Sequence, residues 1–326
     1  MTNPKSIDLQ MLQAFVTTAE ERNMSSAAKR LGVTQSAVSQ SIRQLEEQFG
    51  VVLFNRDRRP LVLTPAGLTL RNRGVLLLNE MAHLKAQVID ASLGIKADMR
   101  IGLVDSFAGT CGTALIKEML SRATMLSVRT GLTPNLGEAL VAREVDLIVS
   151  TDSLADVDGI VRHKLITEQF LLITPRQHAG SVRTAKEIRE LALTKPMVRL
   201  NLKSHLGIQI ERFLRRIDVR APHRLEVDNA DTLASMVAGG IGWAITTPMC
   251  LLQAGEVAKQ VKLHLFDGLN VSRSIFLVAR RDEYSHLIDE THRLIQSVLK
   301  SSFLPGLRAI RPELETLVET EPRNEE

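Results

Sequence analysis

Apolar residues recur at helical spacing near the start of the chain, and similar runs follow before residue 50. The first run predicts a helix over about residues 8–20 with one buried face. Its apolar positions are Leu9, Leu12, Phe15, Val16 and Ala19. Two further runs are joined at Gly32, a residue type that readily takes the left-handed conformation that ends a helix. The pattern therefore predicts three helices in the first fifty residues.

Capping residues set the expected bounds of the second and third helices. Ser25 or Ser26 can accept the first free backbone N–H groups of a helix over 27–31. Thr34 can do the same for a helix that runs to about residue 49 and ends at Gly50. The third helix is expected to bury four apolar residues, Ala37, Val38, Ile42 and Leu45.

A hairpin and a long helix are predicted next. Short β-type runs at 51–54 and 61–63 flank a charged turn, as in a wing. Thr64 and Pro65 form a good helix start, and the pattern continues to about residue 93. Its apolar positions alternate four and three apart, which favours a coiled-coil seam between two copies; a helix packed on its own domain is the alternative. The seam positions are Leu70, Gly74, Leu77, Met81, Leu84, Val88 and Ala91.

From residue 98 onward, β-type apolar runs alternate with helical stretches. This rhythm predicts α/β architecture with mostly parallel sheets in two lobes. Lobe I is expected at about 98–174 and 275–300, and lobe II at about 175–274. The last residues, 301–326, are acidic and contain three prolines, so a partly disordered tail is expected.

Composition narrows the class of protein. A chain of 326 residues with 44% hydrophobic and 24% charged residues is ordinary for two or three globular domains. The start shows no export signal, and no apolar stretch is long enough for a membrane span, so a cytoplasmic protein is expected. Residues 1–93 hold 11 basic against 8 acidic residues, a balance of +3, and residues 308–326 hold 3 against 6, a balance of −3. The basic end is thus the one with the helical hairpin.

Catalytic and metal motifs do not occur in the sequence. Cys111 and Cys250 lie far apart, which favours buried structural thiols over a disulfide framework. Histidines lack metal-ligand spacing, and there is no nucleophile elbow or phosphate-binding loop. We therefore expect no enzyme activity, no metal and no cofactor.

The helical hairpin over 24–43 has the residue types of a DNA-binding helix-turn-helix. Ala28, Gly32 and Val38 occupy the crossing, turn and junction positions of that motif. Its second helix would insert its N-terminal half into the major groove, where amide, hydroxyl and guanidinium groups read base edges. These candidates are Thr34, Gln35, Ser36, Ser39, Gln40 and Arg43. Three wing arginines, Arg56, Arg58 and Arg59, would be favoured as a solvated turn if they stood alone, but beside the helix-turn-helix they are expected to contact phosphates.

Residues 24–67 closely resemble the winged helix-turn-helix of LysR-type transcriptional regulators. The matching positions are Ala27-Ala28, Leu31, Gln35-Ser36, Ala37-Val38-Ser39, Ile42, Leu45-Glu46, Gly50, Leu53-Phe54, Arg56, Arg59, Leu63-Thr64 and Ala66-Gly67. Gln40 departs from the pattern, since many members carry Arg there. The resemblance implies a winged domain at 7–64, a dimerising linker helix at 65–93 and a two-lobed effector domain at 98–300, similar to periplasmic binding proteins.

The resemblance also implies a small-molecule effector, often an organic anion, between the lobes. Ser106 and the adjoining Phe107 follow the first strand of lobe I, and Thr133 follows the second; Ser106 and Thr133 resemble family contacts. Ser204 and Thr247 follow strands of lobe II, where ligands of open α/β sheets bind. Helix capping is an equal alternative for each hydroxyl. Arg199 and His205 could bind a carboxylate, and a surface salt bridge is the alternative for them.

These features favour a cytoplasmic LysR-type regulator that binds double-stranded promoter DNA as a homodimer and, by resemblance, as a homotetramer. The rival interpretation is a two-lobed solute-binding or enzymatic protein with an N-terminal assembly domain. Trp243, which adjoins a predicted cleft loop, is the only tryptophan and is expected to report effector binding.

Overall fold

The computed structural model describes residues 8–55, 60–93, 98–222, 225–281 and 285–320, without the side chains of 79–80, 82–83, 85–93 and 285–287. The chain divides at about residue 95 into two compact units. Within the described ranges, no helix is long and apolar enough to cross a membrane.

The first unit is a winged helix-turn-helix followed by one long helix. Its elements are α1 (Leu9–Glu21), α2 (Met24–Leu31), α3 (Gln35–Phe49), β1 (Phe54–Asn55), β2 (Val62–Leu63) and α4 (Pro65–Leu93). The two short strands pair antiparallel as the base of the wing. Phe15, Ile42 and Leu45 are fully buried and form the centre of a small core, as the helical spacing predicts.

Local caps define these helices. Thr34 accepts the backbone N–H of Ala37 at 3.2 Å, which confirms it as the cap of α3, and Gly32 and Gly50 have the positive φ angles expected of helix ends. The predicted cap of α2 is wrong. Asn23 rather than a serine accepts the N–H groups of Ser25 and Ser26, so α2 begins three residues before the expected residue 27.

The apolar positions of α4 lie in two different environments, one packed on the winged domain and one exposed. Leu70 packs against the winged-domain core, and a side chain at Gly74 would collide with Leu12 of α1. For Leu70, therefore, the assignment to a seam between two copies is corrected in favour of packing on its own domain. Leu77, Met81 and Leu84 are 53%, 43% and 50% exposed, while the side chain of Val88 lies outside the described residues.

The second unit contains two lobes. Its lobe I elements, in chain order, are β3 (Met99–Val104), α5 (Asp105–Phe107), α6 (Thr113–Leu120), β4 (Leu126–Gly131), α7 (Thr133–Val141), β5 (Leu147–Ser150) and β6 (Ile160–Gln169). Those of lobe II are β7 (Leu171–Pro175), α8 (Ala185–Thr194), β8 (Val198–Leu200), α9 (His205–Arg216), β9 (Leu225–Val227), α10 (Ala230–Ala238), β10 (Ala244–Thr246), α11 (Pro248–Gln253) and β11 (Val261–Leu265). The chain then returns to lobe I with β12 (Ser272–Arg280), α12 (Ser285–Val298), α13 (Leu304–Ile310) and β13 (Val318–Thr320).

The sheets are mixed, which corrects the expectation of mostly parallel pairing. Lobe I has the strand order β13-β6-β12-β5-β3-β4, with parallel pairs only among β5, β3 and β4. In lobe II, β10-β7-β11 is antiparallel and β8-β9 is parallel. The strand β6 leads out of lobe I and β12 leads back into it, so these two neighbouring strands run antiparallel.

The crossovers lie slightly earlier than the predicted lobe boundaries. β6 belongs to the lobe I sheet and β7 to that of lobe II, so the first crossover falls at Phe170 rather than near 174. β12 begins at Ser272 in lobe I, before the expected 275. Because residues 170–175 form one apolar run, the sequence did not show where the chain passes from the lobe I sheet to the lobe II sheet.

The expectation of a partly disordered tail is wrong for residues 304–320. Leu307, Leu314 and Leu317 are buried, and β13 pairs antiparallel with β6 at the edge of the lobe I sheet. The overall acidity of the tail hid these three leucines, which pack inward while the charged residues between them are partly or fully exposed. Residues 321–326 lie outside the described residues.

Candidate functional site

The start of α3 presents a polar surface. Gln35, Ser36, Gln40 and Arg43 are exposed and Ser39 is partly exposed, whereas Val38 and Ile42 face the core. Ala37, predicted to be buried, is exposed on this surface. This surface can place several hydrogen-bonding side chains in the major groove of DNA, which is wide enough to admit a helix.

Two of the predicted base-reading hydroxyls have local partners. The Thr34 hydroxyl caps α3 and lies 2.9 Å from that of Ser36. Arg30, on the supporting helix, is ion-paired with Glu20 and Glu21 and would have to leave them to reach a phosphate. Arg56, Arg58 and Arg59 lie outside the described residues.

A cavity of about 60 Å³ lies between the two lobes of the second unit. We call it the interlobe cavity. Its lining residues come from the carboxyl ends of strands and the helices that follow: Val104, Asp105, Ser106, Leu132, Thr133, Thr151, Leu200, Ser204, His205, Leu206, Asp228, Asn229, Ala230, Cys250, Gln253 and Arg273. The starts of α5, α7, α9 and α10 all contribute to this lining. Helix N-termini carry partial positive charge, so their convergence favours an anion.

A short chain of hydrogen bonds joins the lobes across this cavity. The Thr133 hydroxyl lies 2.8 Å from that of Thr151, and the Thr151 hydroxyl lies 3.0 Å from Nδ1 of His205. Burial lowers the pKa of His205, which keeps its imidazole neutral at pH 7. The three side chains can therefore exchange these mutual bonds for bonds to a ligand.

A buried ion pair lies at the base of the interlobe cavity. Glu168 on β6 and Arg273 on β12 are cross-strand partners, with Nε to Oε1 at 2.6 Å and side chains 0% and 2% exposed. Arg273 also donates to Thr247 at 3.0 Å and approaches Ser106 at 3.4 Å, while Glu168 accepts the backbone N–H of Met249 at 2.8 Å. Burial alone would lower the pKa of Arg273, but the Glu168 carboxylate raises it above its ordinary value.

The predicted effector residues divide into three groups. Ser106, Thr133, Ser204 and His205 line the cavity, and Ser204 also caps α9 by accepting the N–H of Gly207 at 3.0 Å. Thr247 lies behind the lining, in contact with Arg273. The third group, Phe107 and Arg199, lies away from the cavity.

Phe107 and Arg199 are therefore corrected as effector contacts. Phe107 is fully buried in the apolar core, because a one-residue step along a helix turns the side chain away from the face that carries Ser106. Arg199 alternates with Leu200 on β8 and points to the other face, where it is ion-paired with Glu211 of α9 and donates to the carbonyl of Ala221.

Sequence reasoning missed Thr151 and Arg273. Thr151 directly follows β5, so the rule that found Thr133 would also have found it. Arg273 lies at the beginning of a strand. Because β12 runs antiparallel to β5, its beginning lies at the edge where the parallel strands end. Topology was needed to place it.

Cys111 and Cys250 are both buried free thiols, as the sequence predicts. Burial raises the pKa of Cys111 to about 12 and also raises the pKa of Cys250. Thiolates are the reactive form, so neither group is activated in this arrangement.

Comparison with known proteins agrees with both units. Residues 9–68 match the model of the bacterial regulatory helix-turn-helix protein, lysR family, and residues 94–300 match the LysR substrate binding domain. A probable cat1 operon transcriptional activator from Acinetobacter lwoffii is 24% identical over 90% of this chain and 96% of its own. The transcriptional regulator CzcR of Bacillus cereus is 27% identical over 85% and 93%. The solved structure of full-length CbnR with its target DNA aligns with a TM-score of 0.62 at 17% identity, covering 89% of this chain and 99% of that one.

Proposed function

Because the chain belongs to the LysR family of DNA-binding transcriptional regulators, we propose that a small organic anion in the interlobe cavity controls its binding to promoter DNA. Members of the family bind promoter DNA and small-molecule effectors and form oligomers; they are not enzymes.

The convergence of four helix starts on the interlobe cavity carries the proposal. The hydroxyls of Ser106, Thr133 and Thr151 add neutral donors for a carboxylate. Arg273 adds positive charge, although Glu168 partly neutralises it. The predicted contact Ser204 retains its capping role in this scheme.

Two carboxylates of the lining refine the ligand class. Asp105 and Asp228 also face the interlobe cavity, and burial raises the pKa of Asp105. A purely anionic ligand would bring no donor to Asp105, whereas Asp228 already accepts from the Asn201 side-chain amide at 2.8 Å. The favoured effector is therefore a small carboxylate that also carries a hydroxyl or amino group.

Calorimetric titration of the full chain tests this ligand class. Glycolate and lactate are compared with their neutral amides, and we expect the carboxylates to bind at least about tenfold more tightly, equivalent to ~1.4 kcal/mol. Thr133→Val should remove this preference, while Thr194→Val on α8 serves as a matched control. Equal binding of amides and carboxylates would refute an anion site.

We further propose that the exposed side chains of α3, from Gln35 to Arg43, read base edges, with Thr34 acting as a cap. A Gln side chain can bind adenine through two hydrogen bonds, worth about 1–3 kcal/mol of discrimination. Gln35→Ala should thus weaken binding to a selected promoter fragment more than to random DNA in a mobility-shift titration. Gln44→Ala, later on the same helix, is the control; equal losses on both DNAs would exclude base reading by Gln35.

Oligomerisation through α4 is also proposed. Leu77, Met81 and Leu84 are large, exposed and spaced four and three apart, as a coiled-coil seam requires. Val88 continues that spacing in the sequence. Each dimer built this way would present two α3 helices, one to each half-site of an inverted repeat, and two dimers would pair into a tetramer in the cytoplasm, where promoter DNA is found.

A further inference from the structure

Lobe II contains a second cavity, at the end of its sheet away from the interlobe cavity. It has a volume of about 310 Å³, and Thr174, Pro175, His178, Lys195 and Trp243 are among its lining residues. Trp243 precedes β10, whereas the interlobe cavity lies beyond the last residue of that strand. This location corrects the expectation that Trp243 adjoins the effector cleft.

One wall of the cavity is apolar. Pro175, at the end of β7, is partly exposed in this wall, and Trp243 and Leu191, which are 0% and 6% exposed, lie behind it. The indole Nε1 of Trp243 donates to the carbonyl of Lys195 at 3.1 Å, which fixes the ring against the segment that follows α8. A volume near 300 Å³ lies at the lower end of the range for small-molecule sites. The space and its apolar wall suit one ring.

The other wall is basic. His178 and Lys195 line it, and the described lining residues include no Asp or Glu. Lys195 has no ion-pair partner in the part of the chain that the structure describes. Lys262 anchors the adjoining loop by donating to the carbonyls of His178 at 3.1 Å and Gly180 at 2.6 Å.

The charge balance around His178 favours an anion. Burial lowers the pKa of His178, and the neighbouring ammonium groups of Lys262 and Lys195 lower it further. An anion beside His178 would relieve this repulsion and strengthen the contact by favouring the imidazolium.

We propose that lobe II holds a second ligand site in this cavity, for a small carboxylate that carries an apolar ring. The ring lies at the Pro175 side of the cavity, over the buried Trp243 and Leu191, and the carboxylate faces Lys195 and His178. This site is separate from the proposed effector site, since none of its described lining residues is shared with the interlobe cavity.

Tryptophan emission tests the site directly, because Trp243 is the only tryptophan in the chain. The full-length protein is titrated with phenylacetate and with its neutral isostere phenylacetamide, and calorimetry is run in parallel. We expect a saturable change in Trp243 emission with phenylacetate and at least tenfold weaker binding of the amide.

Three variants locate the response. Lys195→Met should weaken phenylacetate binding at least tenfold; its side chain is exposed, and an unchanged melting temperature verifies the fold. Lys186→Met, on the preceding helix, and Thr133→Val, in the interlobe cavity, should leave phenylacetate binding intact. The proposal is overturned by the absence of saturable binding, by equal binding of the amide, or by a response lost in Thr133→Val and retained in Lys195→Met. Loss in Lys195→Met alone supports it, even when the interlobe cavity binds no anion.

Discussion

At the scale of single residues, the Glu168–Arg273 pair connects both lobes. The pair joins β6, which leads out of lobe I, to β12, which leads back into it. Its remaining hydrogen bonds reach α11 and the start of α5. A buried charge without its partner is strongly destabilising, whereas an exposed pair contributes little. The stability of the second unit should therefore depend on both members of this pair.

Arg273→Met should lower the free energy of unfolding of the second unit by about 3–5 kcal/mol, because it leaves the Glu168 carboxylate buried and unpaired. Urea denaturation monitored by Trp243 emission measures the change. Arg183→Met, which breaks an exposed pair with Asp267, is the control and should cost less than about 1 kcal/mol. A similar small cost for Arg273→Met would show that Glu168 is stabilised by other groups.

His264 predicts a pH dependence of stability. Its Nδ1 accepts the N–H of Val182 at 3.1 Å and its Nε2 lies 2.8 Å from the Thr174 hydroxyl, so the folded protein favours the neutral ring. Burial, together with His178 and Lys262, lowers the pKa of His264 from 6.5 to about 4. The unfolded chain takes up a proton near pH 6.5 and the folded chain only near pH 4. Stability is thus complete above pH 6.5 and is lost as the pH falls between these values.

His264 alone should account for up to about 3 kcal/mol of the decrease in the free energy of unfolding between pH 6.5 and 4. The change to test is His264→Gln. Urea denaturation at several pH values should give a shallower acid slope for the variant than for the wild-type protein. Identical slopes would mean that His264 does not resist protonation in the folded state.

At the scale of helices and strands, the sequence predicted most successfully where the determining contacts are local. The caps Thr34, Gly32 and Gly50 act within a few residues, and all three lie where the pattern places them. Contacts between residues that are distant in sequence could not be predicted. Arg273 reaches the interlobe cavity only through strand order, and β13 is recognisable only by its pairing with β6.

The helix α4 illustrates the same limit. One regular spacing runs from Leu70 to Val88, yet its first part packs on the winged core, and its middle is exposed. Periodicity identifies a buried face but not the partner that buries it.

Leu77→Glu should weaken the proposed dimer, because it would place a carboxylate in the apolar seam. Sedimentation of the full chain at micromolar concentration should detect a shift toward monomers. Arg73→Glu changes charge at an exposed position of the same helix and should leave the assembly intact. If Leu77→Glu sediments like the wild-type protein, dimerisation through this face of α4 is wrong.

At the scale of the whole second unit, the C-terminal segment ties the two lobes together. α13 packs against α11, while β13 extends the lobe I sheet. The effector domain therefore extends to Thr320, beyond the predicted end at 300.

Deletion after residue 303 should lower the free energy of unfolding by more than about 3 kcal/mol, because it removes three buried leucines, each worth about 1.5–3 kcal/mol. Deletion after Thr320 retains all of them and is the matched control. Thermal denaturation of both truncated chains compares them. Equal melting temperatures would show that the segment contributes no stability.

An anion between the lobes is proposed to control DNA binding. A mobility-shift titration of the full chain on a selected promoter fragment, with and without a hydroxy- or aminocarboxylate that binds the protein, tests this control. We predict that the anion changes the affinity or the mobility of the wild-type complex, that the corresponding amide does not, and that Thr133→Val binds DNA without responding. An identical response in Thr133→Val, or a wild-type complex indifferent to every anion that binds the protein, would contradict the claim.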